Sequence, residues 1–286
     1  MRREIELDID EQFIKVVTDV NYTNVPDYFG EMEKGLKLDL LLPLDPTGEL
    51  EPRPLIIWII GGGWVAVSKS KFLAEMVPYA KAGYAVASIE YRVAGQSSFP
   101  SQIIDVKSAI RYLRAHADRY NLIPNQFYVM GESAGGHLAA LAATSGKVRE
   151  WDQGSYLDYS SCVQGCVDLY GICDFRDNPV APVPELFHDF KAEELLAGGR
   201  LEDHPELYDR LNPLTYADED TPPFLILHGQ EDQIVNCRQS VKLYEGLQEK
   251  GIRSELILVA GAGHADPRFY QSETRSIIMD FLDGLR

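Results

Sequence analysis

The sequence predicts a single α/β domain over residues 1–286, with a mostly parallel central sheet and helices on both faces. Short apolar runs of strand length alternate with helically periodic segments from residue 55 onward, a pattern typical of parallel sheets. A length of 286 residues fits one such unit. Near the start, Phe13–Val17 and Leu36–Leu40 alternate or nearly alternate in hydrophobicity, which predicts antiparallel strands at the sheet edge.

The elements follow in chain order, each from its own signal. Prolines at 43, 46, 52 and 54 break the chain before a continuous apolar run, which is typical of a buried strand. Apolar residues at helical spacing, such as Ile103, Val106 and Ile110, predict the second helix. After the two edge strands, we predict strands at Leu55–Ile60, Tyr84–Ile89, Phe127–Met130, Val163–Tyr170, Phe224–Leu227 and Leu256–Val259, and helices at Phe72–Ala82, Ser101–Arg119 and His137–Ala143.

Residues 171–221 form a stretch between two predicted strands that is too long for an ordinary loop. It is rich in proline and glycine and contains two short helical patterns, Glu185–Leu196 and Pro205–Leu211. We expect a small cap insertion over a pocket. Three of its apolar side chains are candidates either for the pocket wall or for a local core of the cap: Leu186, Phe187 and Phe190.

Ser133 is a candidate nucleophile because it lies at the centre of Gly-Glu-Ser-Ala-Gly, residues 131–135. A tight turn between a strand and a helix lifts a serine hydroxyl clear of the backbone, and the residues two before and two after it must then lack bulk. Both are glycine here, and the predicted strand and helix flank the motif. A glycine-rich turn in a nucleotide-binding sheet is the alternative if no partner residues are present.

A serine needs a base to take its proton and a carboxylate to orient that base. His264 is the candidate base, because it follows an apolar strand in a loop of small residues. Asp232 is the candidate acid in the loop after the preceding strand, and we prefer it to the adjacent Glu231 because it lies further into the loop. The other histidines are assigned surface or structural roles: His116, His137, His188, His204 and His228.

A glycine triplet, residues 61–63, follows the third predicted strand directly. Acyl transfer develops charge on a carbonyl oxygen, and preorganised backbone N–H groups stabilise it by about 3 kcal/mol per donor. We assign these donors to Gly62, Gly63 and Ala134, although the sequence does not fix which two of the glycines point inward. Trp64 beside the loop is expected either to bind substrate by stacking on an aromatic acyl group or sugar, or to pack.

With these residues placed, the chain resembles the α/β-hydrolase superfamily, and within it the hormone-sensitive-lipase-like bacterial carboxylesterases and the feruloyl-esterase-like group. The resemblance runs from Leu36 to the C-terminus and includes the triad in the order Ser133, Asp232, His264. One position departs from it, since Ile60 replaces the histidine that usually precedes the glycine triplet. We expect Ile60 to pack under the loop instead.

The resemblance implies a serine carboxylesterase that acts on small esters, such as acetyl or hydroxycinnamoyl (feruloyl) groups on plant-derived carbohydrate. It implies no metal and no cofactor. Two alternatives stay open: an amidase of the same fold, similar to kynurenine formamidase, and a hydrolase-fold protein that only binds a small ligand. The complete triad argues against the binding protein, and Ile60 argues weakly for it.

The amino-acid composition limits the classes of molecule that the protein is expected to bind. With 27 basic and 44 acidic residues the formal net charge is −17, which disfavours nucleic acid and anionic membranes and favours neutral substrates. No apolar stretch approaches the length of a membrane span, and the first eight residues include the acidic Glu4, Glu6 and Asp8 where a secretory signal needs an apolar core, so a cytoplasmic location is expected. The four cysteines are expected to be buried free thiols, and the oligomeric state is left open.

Overall fold

An eight-stranded sheet runs through the residues that the structure, a computed structural model, describes: 2–6, 12–27, 29–44, 51–177 and 191–286. The strands are β1 (Phe13–Pro26), β2 (Glu33–Leu44), β3 (Arg53–Ile59), β4 (Ala85–Ile89), β5 (Leu122–Glu132), β6 (Gly165–Leu169), β7 (Phe224–Gly229) and β8 (Ser254–Val259). Their order in the sheet is β1-β2-β4-β3-β5-β6-β7-β8. Strand β2 pairs antiparallel with both β1 and β4, and all other neighbouring strands pair parallel.

Helices cover both faces of this sheet, as the sequence predicts. The helices are α1 (Leu73–Lys81), α2 (Ser101–Ala115), α3 (Ala117–Tyr120), α4 (Ala134–Thr144), α5 (Ala192–Ala197), α6 (Pro205–Asp209), α7 (Arg238–Glu249) and α8 (Ser272–Asp283). On β3, Ile57 and its alternate neighbours point into the core under α2, α4 and α7, whereas Trp58 points into the core under α1 and α8. Strand side chains alternate between faces, so an unbroken apolar strand is one that is buried on both sides.

The predicted fold class is therefore confirmed, with two local corrections. The helix predicted at Ser101–Arg119 is wrong at His116, which leaves helical geometry at φ −111° and ψ 21° and separates α2 from α3. The His116 ring bonds back to the carbonyl oxygen of Tyr112 at 2.8 Å. Only one of the two antiparallel strands is an edge strand, because β2 lies between β1 and β4.

The described part of the insertion packs against the sheet face that carries α2 and α4. Its buried side chains Leu196, Tyr208 and Leu211 join that core. The Phe99 N–H donates to the carbonyl oxygen of Leu196 at 2.7 Å, which ties α5 to the start of α2. Leu186, Phe187 and Phe190 lie outside the described residues, so their predicted role is untested. The bounds 171–221 and the cap function stay predictions, as does the single domain over 1–286.

All four cysteines are free thiols. Cys166 and Cys173 are buried, but Cys162 is exposed and Cys237 is partly exposed, so the expectation of four buried thiols is wrong for these two. Cys162 precedes β6 in a surface loop, where its position in the sequence gave no signal of exposure. Within the described ranges, no helix is both long enough and apolar enough to cross a bilayer.

Candidate active site

Ser133 occupies the sharp turn between β5 and α4. Its backbone has φ 53° and ψ −119°, a left-handed conformation that non-glycine residues rarely adopt. The Ser133 N–H donates to the carbonyl oxygen of Leu169 at 2.8 Å, and its own carbonyl oxygen accepts from the His137 N–H at 3.0 Å. These bonds hold the turn while the serine itself stays partly exposed between buried neighbours.

The two flanking glycines are required because backbone passes within contact distance of both. A Cβ at Gly131 would lie 2.2 Å from the carbonyl oxygen of Gly135. A Cβ at Gly135 would lie 2.0 Å from the carbonyl oxygen of Ile59, at the end of β3. Such distances are far inside van der Waals contact, so only glycine fits. The second contact also brings the loop after β3 directly beside the turn at Ser133.

The structure brings Ser133, His264 and Asp232 into one chain of hydrogen bonds, although 131 and 32 residues separate the paired positions. The distance from Ser133 Oγ to His264 Nε2 is 2.9 Å, and that from His264 Nδ1 to Asp232 Oδ2 is 2.7 Å. A carboxylate only accepts, so His264 carries its proton on Nδ1 and offers the Nε2 lone pair to the serine hydroxyl. This geometry lets His264 act as a general base toward Ser133.

Asp232 is a buried carboxylate with several hydrogen-bond donors. Its Oδ1 accepts from the Ile234 and Val235 N–H groups at 2.9 Å each, and its Oδ2 faces both His264 and His228. Burial raises the pKa of the Asp232 carboxyl, but the two imidazoles beside it, His228 and His264, outweigh burial and hold that pKa well below its usual range. Asp232 therefore stays ionised, as an orienting acid must. Glu231, the competing candidate, is exposed.

The glycine triplet lies beside Ser133 with free amide donors. Among the described residues, the N–H groups of Gly62, Gly63 and Ala134 donate to no protein acceptor. Gly62 and Gly63 have positive φ of 125° and 59°, and the Gly62 carbonyl oxygen turns away to accept from Val65 and Ala66. The Ala134 N–H lies in the first turn of α4, where a helix leaves its amides unpaired. These are donors of the kind an oxyanion requires.

Two side chains that the sequence analysis did not single out hold this loop. The Gly61 N–H donates to Glu132 Oε1 at 2.8 Å, and the Tyr91 hydroxyl donates to the Ile60 carbonyl oxygen at 2.8 Å. Burial, followed by the nearby Glu132 carboxylate, raises the pKa of Tyr91, so the phenol remains a donor. The Ile60 side chain is fully buried in the core under α1 and α8, in line with the expected packing.

Trp64 packs beneath the loop. Its side chain is only 3% exposed, and its indole Nε1–H donates to His137 Nδ1 at 3.2 Å. The ring contacts the rings of His137 and Phe175, each with centroids 5.4 Å away. Of the two roles expected for Trp64, these contacts support packing, since protein neighbours occupy its surface, and substrate binding by Trp64 stays a prediction. His137 lies in the same core, where its Nε2–H donates to the Leu211 carbonyl oxygen. Burial lowers its pKa to about 4, so the ring is neutral there.

Sequence reasoning missed the supports of the site for a common reason. Glu132 and Tyr91 form hydrogen bonds to residues 71 and 31 positions away. His228 reaches Asp232 only because the loop between them folds back, and no local sequence pattern predicts that conformation. A signal was nevertheless present at Glu132 and His228. Each is a polar residue that ends an apolar strand, and a buried polar group requires a partner.

Residues 38–247 match the model of the BD-FAE family. Esterase LipC of Mycobacterium tuberculosis is 31% identical over 239 residues, which are 82% of this chain and 55% of that protein. The chain thus spans about half the length of the curated relatives it matches.

Solved structures resemble it along nearly the whole chain. A truncated carbohydrate esterase from gut microbiota superposes with a TM-score of 0.82 at 30% identity, covering 97% of this chain and 98% of that one. A bifunctional GH43-CE protein of Bacteroides eggerthii gives a TM-score of 0.79 at 30% identity, over 94% of this chain and 38% of that one.

Proposed function

The chain belongs to the BD-FAE family, and from this premise we propose that it is a serine carboxylesterase that hydrolyses small neutral esters on carbohydrate. The observation that carries the proposal is the unbroken relay Ser133 Oγ, His264 Nε2, His264 Nδ1 and Asp232 Oδ2, with bonds of 2.9 and 2.7 Å. Free amide donors beside the serine support the same reaction. The name of the gut-microbiota carbohydrate esterase supports the substrate class.

In the proposed reaction, Ser133 Oγ attacks the ester carbonyl carbon while its proton passes to His264 Nε2. The carbonyl oxygen takes the negative charge and rests on the N–H groups of Gly62, Gly63 and Ala134. His264 then returns the proton to the alkoxide that leaves, and an acyl-serine remains. Water, deprotonated by the same imidazole, attacks the acyl carbon and releases the acid.

The substrate is proposed to be neutral and short at its acyl end. The net charge of −17 repels polyanions. A Cβ at Gly63 would lie 3.8 Å from Val65 Cγ2 and 3.9 Å from Ala192 Cβ, so side chains of the loop and of α5 come within ordinary contact distance of the oxyanion donors. The cytoplasmic location and the lack of affinity for nucleic acid or membranes stay predictions.

A panel of substrates tests the proposal. We expect kcat/KM for p-nitrophenyl acetate to exceed that for p-nitrophenyl octanoate by about tenfold or more, because each poorly accommodated methylene costs binding in the transition state. Acetylated xylan should release acetate, and methyl ferulate measures the hydroxycinnamoyl alternative. N-formylkynurenine, run beside them, represents the amidase. Preference for octanoate would remove the short-acyl proposal, and faster turnover of N-formylkynurenine would replace the esterase by the amidase.

The panel also separates catalysis from mere binding. Each substrate is run with the parent chain and with Ser133→Ala as the blank. No turnover above that blank for any ester or amide, with a correctly folded parent, would favour the small-ligand binding protein.

A further inference from the structure

His228 lies on the far side of Asp232 from His264. It is the penultimate residue of β7, and both its side chain and that of Asp232 are fully buried. The distance from His228 Nε2 to Asp232 Oδ2 is 3.2 Å, and the same oxygen accepts from His264 Nδ1 at 2.7 Å. One carboxylate oxygen therefore bridges two imidazoles, of which the proposed reaction uses only one.

The protonation of His228 follows from its neighbours. Nε2 also lies 2.8 Å from the Val235 carbonyl oxygen, so both groups near this nitrogen are pure acceptors and Nε2 must carry a proton. The other nitrogen, Nδ1, lies 2.6 Å from Ser240 Oγ on α7. A hydroxyl can donate or accept, so Ser240 accommodates Nδ1 in either state. His228 thus donates its Nε2–H to the Val235 carbonyl oxygen at 2.8 Å and presents the same N–H to Asp232 Oδ2 at 3.2 Å.

We propose that His228 is a positioning residue of the triad: the Nε2–H that it shares between the Val235 carbonyl oxygen and Asp232 Oδ2 holds that carboxylate oxygen in line with His264 Nδ1. This rests on the proposed function, because it concerns the same relay. Without the second donor, the carboxylate would keep its two backbone bonds on Oδ1 but lose one of two partners on Oδ2. A buried anion that loses a donor is protonated more easily.

Other titratable groups face the His228–Asp232 pair. Among the described residues, these are His264 in the loop after β8, Asp168 on β6 and Tyr170 after β6. Burial raises the pKa of Asp168 to about 6, with the nearby His228 opposing the rise. The Tyr170 ring lies 5.0 Å from that of His264 and 6.5 Å from that of His228, and burial raises its pKa well above the usual range.

Two amide variants separate the two nitrogens of His228. In His228→Gln the side-chain N–H₂ reaches the position of Nε2, whereas in His228→Asn it reaches only that of Nδ1, toward Ser240. With p-nitrophenyl acetate, we expect His228→Asn to lower kcat about tenfold or more with little change in KM, and His228→Gln to recover most of the loss.

The pH profile distinguishes positioning from general damage. Loss of the donor destabilises the Asp232 anion, so the coupled Asp232–His264 pair takes up its first proton at a higher pH. The acidic limb of kcat/KM in His228→Asn should then shift to higher pH by about half a unit or more. An equal loss in both variants with an unshifted limb, or parent-like values in His228→Asn, would overturn the proposal.

A measurement on the parent chain keeps the proposal testable if a variant does not fold. Nitrogen-15 spectra of the imidazoles should show a protonated Nε2 in His228 at neutral pH. An unprotonated Nε2 would end the proposal, because that nitrogen could not donate. Hydrolysis of p-nitrophenyl acetate by the parent, abolished in Ser133→Ala, tests the proposed function separately.

Discussion

Replacing Ser133 by alanine is expected to lower kcat for p-nitrophenyl acetate by on the order of 10⁵-fold. The proposed reaction has no second nucleophile, and the residual rate would come from the amide donors and substrate binding alone. The backbone at Ser133 is held by its bonds to Leu169 and His137, which the substitution leaves in place. We therefore expect a folded protein with a melting temperature close to that of the parent.

The control for this variant is Ser155→Ala. Ser155 is exposed, and Arg111 contacts its backbone carbonyl rather than its side chain. Its activity should match the parent. A Ser133→Ala variant that keeps more than about a hundredth of the parent turnover would argue that another group performs the attack.

Asp232→Asn is expected to lower kcat by about 10⁴-fold, because it favours the His264 tautomer that carries its proton on the wrong nitrogen. Asp232 Oδ1 accepts from two backbone N–H groups, so the amide oxygen of asparagine must take that place. Its NH₂ then points at His264 Nδ1, which can only accept from it. The imidazole is left with its proton on Nε2, facing Ser133, and cannot take the serine proton.

The adjacent Glu231→Gln is the matched control, because it makes the same change of charge on an exposed side chain in the same loop. It should keep parent-like kcat and KM. Steady-state kinetics of both variants, with circular dichroism to verify folding, decide between the two acids. Loss of activity in Glu231→Gln together with retention in Asp232→Asn would reverse their roles.

The sequence was sufficient for those parts of the molecule whose signals are local. Alternating segments located the first two strands of the described sheet and continuous apolar runs the other six, and Gly131 and Gly135 marked the turn at Ser133 because backbone contacts forbid side chains there. His264 and Asp232 could be placed because each follows an apolar strand, and parallel strands bring such loops to one edge of the sheet.

What the sequence could not supply depends on contacts across the fold. Trp64 looked available to a substrate, yet a hydrogen bond to His137, 73 positions away, holds it in the core. The sequence analysis gave Glu132 no role, but its carboxylate accepts from the Gly61 N–H, 71 positions away. At His228 the sequence signalled a buried polar group that needs a partner, but it could not identify Asp232 as that partner, because the contact depends on how a short loop folds back.

Covalent labelling of Ser133 tests the proposed nucleophile most directly. The parent chain is treated with paraoxon, diethyl p-nitrophenyl phosphate, so that attack by Ser133 Oγ forms an O–P bond and expels p-nitrophenolate. We expect one diethylphosphoryl group per chain, mapped by peptide mass spectrometry to Ser133, with esterase activity lost in proportion to labelling. Modification of a different residue, or a fully active protein that resists labelling, would contradict the assignment of Ser133 as the nucleophile.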